Sequence, residues 1–219
     1  TDSPITGDKN YDECDFNEAV KTYDTALAES YRNFRKNVTK GQPEALKMNR
    51  EFEKFLDKND ERLTDEGVFR VLSKFYGTDC FEEWENPLDM DLIRELDNGN
   101  AEAENRYDEI LKFHKNEIEQ YKFEQFILTK QIRENKEWRD KVGFKYLGDL
   151  LVGCSHMDYW RCRDAFIDGY QLGAPQGSGN PQIWHLPVIN PRKLFTADGL
   201  GVSGQFLKDK LDNALDYTE

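Results

Sequence analysis

The chain has 219 residues, enough for one large domain or two small ones around a true hydrophobic core. Its 43 Asp and Glu against 30 Lys and Arg give a formal net charge of -13, a field that repels phosphate backbones and anionic headgroups and so argues against nucleic acid or membrane surfaces as partners. A neutral polar ligand such as a sugar fits that balance better, and no apolar run approaches the roughly 20 residues that span a bilayer.

The first ten residues, "TDSPITGDKN", lack the basic-then-apolar order of a secretory leader, and residues 1–17 read as a polar tail. From Phe16 to Phe34 the apolar positions Val20, Tyr23, Leu27, Tyr31 and Phe34 recur at helical spacing. Gly41 then ends one helix and Pro43 opens the next, which carries Leu46, Phe52 and Leu56. Thr64 is placed as the N-cap of a further helix that stops at Gly77. "FEEWENPLDMDLIREL" reads as an aromatic loop leading into a short helix, and "DNGN" as a turn. Residues 101 to about 139 form the longest periodic run, an amphipathic helix with one break whose stripe holds Ile110, His114, Ile118, Tyr121, Gln125, Leu128 and Ile132.

Beyond Lys141, Gly and Pro become frequent. "FKYLGDLLVG" is the one strand-like apolar run, over 144–152, and ends near a carboxylate, Asp149. "DYWRCRDAFI" can make a helical turn or two, "GAPQGSGNPQIWHLPVINPRKLF" reads as loop throughout, and a last helix buries Phe206, Leu207, Leu211 and Leu215. An isolated strand exposes unpaired edges, so pairing with a second copy or with residues 183–189 is expected.

Asp149 at a strand end suits gripping a substrate hydroxyl, and equally suits capping a turn. Trp160 and Trp184 flank the Gly/Pro-rich loop, where an exposed ring would form a sugar platform and a buried one would pin the loop. Cys154, His156 and Cys162 supply only three ligands with no second cluster, so no metal is expected there. The four widely scattered cysteines, Cys14 and Cys80 being the others, read as reduced thiols of a cytosolic protein.

Several of these segments, in order, resemble the amylomaltases or disproportionating enzymes, the 4-alpha-glucanotransferases of glycoside hydrolase family seventy-seven. "KYLGDLLVGCSHMDYW" is similar to the family's barrel strand with its Gly-Asp step followed by a Ser, an Asp and a Trp. "LGAPQGSGNPQIWHLPV" is similar to its lid loop, Gly-Ala-Pro-Pro, Asn-Pro and Gln-x-Trp-Gly-x-Pro-Val, with Gln176 in place of the second Pro and His185 in place of the Gly. "FEKFLDKNDERLTDEGVFRVL" and "ILKFHKNEIEQYKFEQFILTKQI" resemble two of its helices. The family's nucleophilic Asp lies in an Arg-Ile-Asp-His stretch that this sequence does not contain.

The resemblance implies a mainly α chain with a small β component: a tail at 1–17, a helical insert domain at 18–142, and at 143–219 a partial (β/α) barrel segment carrying strand, lid and last helix. It implies retaining transfer of alpha-1,4-glucan segments between maltooligosaccharides, without metal or organic cofactor, completed by the remainder of a longer enzyme that holds both reacting carboxylates. Asp149, Ser155, Asp158, Trp160, Pro175, Gln176, Asn180, Gln182 and Trp184 would then contact the glucan. The competing expectation is a non-catalytic helical domain that binds glucan or a protein.

Overall fold

The computed structural model describes residues 15–149, 151, 153–175 and 181–215. Most of the expected tail and the lid positions Gln176 and Asn180 lie outside these residues. The chain is mainly helical with two small two-stranded sheets, and it divides into two compact units at the Glu51–Phe52 bond. No helix among the described residues is long and apolar enough to cross a membrane.

In the first unit, α1 (Phe16–Thr39) opens where the Asp15 carboxylate accepts the Glu18 N–H at 3.0 Å, satisfying one free donor of the first turn. Lys40 caps its C-terminus, and α2 (Pro43–Tyr76) begins at the expected proline. This helix runs unbroken through Thr64, which is therefore no N-cap. The Thr64 hydroxyl donates instead to the Asp60 carbonyl one turn back at 2.6 Å, the interior alternative open to a threonine.

The second unit begins within α2 at Phe52 and is built on that helix. After a 3-10 turn at Phe81–Glu83 come α3 (Pro87–Met90) and α4 (Leu92–Asp97). The "DNGN" turn links α4 to α5 (Ala101–Phe113): Gly99 takes φ +73, and the Asn100 side chain accepts the Glu102 N–H at 2.9 Å. The one break in the long run falls at His114, and α6 (Lys115–Val142) follows.

Phe52 and Phe55 of α2 meet Phe123 and Phe126 of α6 at ring separations of 5.3 to 5.9 Å. Polar ties reinforce the same pair, with Tyr121 donating to Glu66 at 2.9 Å and Lys122 to Asp60 at 2.7 Å. Ile110, Ile118 and Tyr121 of the expected stripe are buried, whereas Leu128 is exposed.

Residues 144–149 form no strand, contrary to expectation. A lone apolar run has no ladder to join without a neighbouring strand, and no described residue pairs with this one. Leu147 is 86% exposed and Leu151 81%, while Tyr146 is held by the Arg139 guanidinium at 4.9 Å from its ring centre.

The chain turns inward at α7 (His156–Arg161), and a 3-10 turn at Arg163–Ala165 leads to a hairpin where a loop was expected. β1 (Phe166–Ala174) pairs antiparallel with β2 (Gln182–Ile189). Between the pairs Phe166↔Ile189 and Gln171↔Pro187, β1 advances five residues against two on β2; between Gln171↔Pro187 and Gly173↔Ile183, β2 advances four against two. The two bulges contain Gly169 (φ +75) and His185 (φ +54), the left-handed residues among the described residues of the hairpin. At Gly173 a Cβ would lie 2.2 Å from the Gln182 carbonyl oxygen, so only glycine permits the strands this approach.

A short ribbon, β3 (Phe195–Thr196) with β4 (Gly199–Leu200), precedes α8 (Val202–Leu215). That helix is seated by its first turns: Ser203 donates to the Ala165 carbonyl at 2.8 Å and Phe206 meets Phe166 at 5.1 Å. Leu211 and Leu215, expected inside, are exposed.

Candidate functional site

An aromatic chain sets the floor of the second unit: Tyr76 stacks on Trp84, Trp84 and Trp160 flank Phe69, and Phe81, Tyr159, Phe166 and Phe206 follow in contact. Trp160 is 1% exposed, and its indole N–H donates to the Asp89 carbonyl at 2.8 Å. It pins the core and offers no face to a ligand. The Asp89 carboxylate, fully buried, accepts two bonds from Arg106 at 2.8 and 2.9 Å and one from Tyr76 at 2.7 Å, which satisfies its charge.

Next to Phe206, the last ring of the aromatic chain, lies a cavity of about 1030 Å³, walled by α2, α4, α7, α8 and the segment around Asp149. Of the expected glucan contacts it brings together Asp149, Ser155 and Asp158. Ser155 and Asp158 close the N-terminus of α7 as a reciprocal pair: the Ser155 hydroxyl accepts the Asp158 N–H at 3.1 Å, and the Asp158 carboxylate accepts the Ser155 N–H at 3.1 Å and its O–H at 2.8 Å. Lys210 of α8 donates to the same carboxylate at 2.8 Å. Burial pushes the Asp158 carboxyl upward, but the Lys210 ammonium and the Ser155 bonds together outweigh it and hold the group below its ordinary range.

Sequence reading passed over the cationic lining. Arg62, Arg94, Arg161, Arg163 and Lys210 line the cavity among its acidic groups, although the chain as a whole is strongly acidic. Arg163 is the most constrained of them, donating to Asp168 at 2.9 Å with its guanidinium 4.9 Å from the Phe81 ring centre and 4.7 Å from that of Tyr159. Behind the wall, Asp65 is pushed up to about 6 by burial, against the opposing Tyr107 hydroxyl bond of 2.6 Å and the positive charge of Arg161. Such alternating donors and acceptors match a neutral polyhydroxylated ligand, whose hydroxyls do both.

The remaining expected contacts are elsewhere. Pro175, Gln182 and Trp184 are exposed on the hairpin and do not line the cavity. The Trp184 indole N–H donates to the Gln182 side chain at 3.0 Å, which fixes one edge of a ring that is 46% exposed. His185, where the resemblance expects glycine, occupies the left-handed backbone that explains a glycine at that place.

A search of the curated proteins finds no match. The fold resembles a solved structure, amylomaltase from Streptococcus agalactiae in complex with acarbose, with a TM-score of 0.59 at 20% identity; the match covers 80% of this chain and 34% of that one, so the chain spans about a third of its length. The sequence model of glycoside hydrolase family 77, described as 4-alpha-glucanotransferase, matches residues 4–199. By that match over most of its length, the chain belongs to the glycoside hydrolase family 77, the 4-alpha-glucanotransferases.

Proposed function

We propose that this chain serves a 4-alpha-glucanotransferase that moves alpha-1,4-glucan segments between maltooligosaccharides, and that it supplies substrate contacts while the reacting carboxylates are supplied by the remainder of a longer enzyme. The family match over residues 4–199 carries this reading. Retaining transfer needs a nucleophilic carboxylate and an acid/base carboxyl about 5–5.5 Å apart across the sugar bond. Two of the cavity's carboxylates have other commitments: Asp158 to Lys210 and Ser155, Glu66 to Arg62 and Tyr121. The Asp149–Ser155–Asp158 wall then holds sugar hydroxyls, and Trp184 with Gln182 and Pro175 on the hairpin offers an outer stacking surface. Transfer of this kind needs no metal or organic cofactor, and a cytoplasmic glucan is the natural substrate.

The exposed side chains Phe144, Leu147 and Leu151 support a partial-barrel reading of this segment, in which strands of the same enzyme would cover it. They equally favour the second reading, a non-catalytic domain that docks a protein or self-associates through this apolar run. Incubating the chain with maltotriose separates the two. The expected outcome is saturable glucan binding, weakened by Trp184→Ala, without release of glucose or longer oligosaccharides. Turnover by this chain alone would overturn the division of labour, and absence of any glucan binding would leave the protein-docking reading.

A further inference from the structure

At the start of α7 the fold gathers three donors that do not line the cavity. The Cys80 thiol, the Glu82 carboxylate and the His156 Nδ1 all lie within 4.8 Å of one another. Cys80 Sγ is 3.4 Å from Glu82 Oε2, and His156 Nδ1 is 3.5 Å from the same oxygen. We propose that Cys80, Glu82 and His156 form a divalent metal site of thiolate, carboxylate and imidazole donors, suited to Zn²⁺, that clamps the 80–82 turn to the start of α7.

Three observations support it. Tetrahedral zinc with its usual bond lengths requires donor atoms about 3.3–3.8 Å apart; the two separations to Glu82 fall inside that range, and the third, Cys80 to His156, is within 4.8 Å. His156 Nδ1 is buried yet has no hydrogen-bond partner among the described residues, and its nearest charged neighbour is Glu82 Oε2 at 3.5 Å. Finally, the donors are held in place beforehand. Phe81, between Cys80 and Glu82, is fully buried, packs on Tyr159 at 5.1 Å, and sits 6.5 Å from the His156 ring; the Cys80 N–H donates to the Thr78 hydroxyl at 3.1 Å. The Glu82 side chain is 38% exposed, so the cluster meets solvent on its side. Thiolate with imidazole selects zinc over magnesium or calcium. The sequence-local trio of Cys154, His156 and Cys162 is not what the fold assembles: only its histidine joins the set.

The test uses the tag-free 219-residue chain, stripped with chelator and titrated with Zn²⁺ by calorimetry and with Co²⁺ by absorbance. The expected result is one equivalent bound, a thiolate-to-cobalt charge-transfer band that disappears in Cys80→Ser, and affinity lowered about tenfold or more by Cys80→Ser, His156→Ala or Glu82→Gln. Cys154→Ser and Cys162→Ser should bind as the parent does. Glu82→Gln, on an exposed side chain, keeps the test valid if a buried variant unfolds. No saturable binding, or binding unchanged in Glu82→Gln and Cys80→Ser, would overturn the site.

Discussion

Two neighbouring segments of the second unit invert what their compositions promise. Residues 144–151 hold the most strand-like apolar run of the chain, and its Leu147 and Leu151 face solvent. Residues 156–166, full of charge and read as little more than a helical turn, place Tyr159, Trp160, Ala165 and Phe166 in the core. The difference lies in partners. Trp160 finds Phe69, Trp84 and the Asp89 carbonyl, whereas the apolar run meets no strand among the described residues. Hydrophobicity drives burial only where another surface is positioned to receive it.

The comparison can be broken first at its buried end. Trp160→Ala removes a large side chain and orphans the Asp89 carbonyl, so we expect a loss of about 3–5 kcal/mol in urea unfolding. A loss under about 1 kcal/mol would mean that the segment is not core. Gly173→Ala forces a methyl into the Gln182 carbonyl and should cost about 1–3 kcal/mol. Its signature is faster amide exchange confined to residues 166–174 and 182–189; a uniform increase would contradict an independent hairpin.

Asp65→Asn tests the electrostatics between these extremes. Because burial raises this carboxyl from 3.8 to about 6, the folded state binds its proton more tightly than the unfolded chain does. Its contribution to stability is present below about 4 and is lost as pH rises through 6. The variant should therefore match the parent near pH 4 and exceed it by roughly 1 kcal/mol at pH 7, after allowance for partial exposure. A difference independent of pH would refute the assignment. Leu147→Ser should change stability by less than about 0.5 kcal/mol, and a larger loss would show that the run is covered in solution, as self-association would cover it.

Helix boundaries were legible where local chemistry sets them: Gly41 with Pro43, the DNGN turn and Gly77; the break in the long run was expected, but its place at His114, read as part of the stripe, was not. The Thr64 boundary failed because a threonine hydroxyl serves a helix interior as well as a helix start. The hairpin was hidden by Pro187 and its glycines. These are breaking signals for a central strand, but they are harmless in a two-stranded ribbon where each strand is an edge. Of the cavity lining, Asp149 was expected from its place at the end of an apolar run, and Ser155 and Asp158 only through the resemblance. Arg62, Arg94 and Lys210 reach the same cavity from distant helices, and no local pattern marks them. His156 likewise gains Cys80 and Glu82 only through the fold.

The uneven placement of the indoles also makes the molecule its own optical instrument. Trp84 and Trp160 lie 3% and 1% exposed within the aromatic floor, while Trp138 and Trp184 stand 60% and 46% open to water. Acrylamide should quench the outer emission and leave the inner, blue-shifted band, so occupation of the hairpin and loosening of the interior can be followed at separate wavelengths in one cuvette.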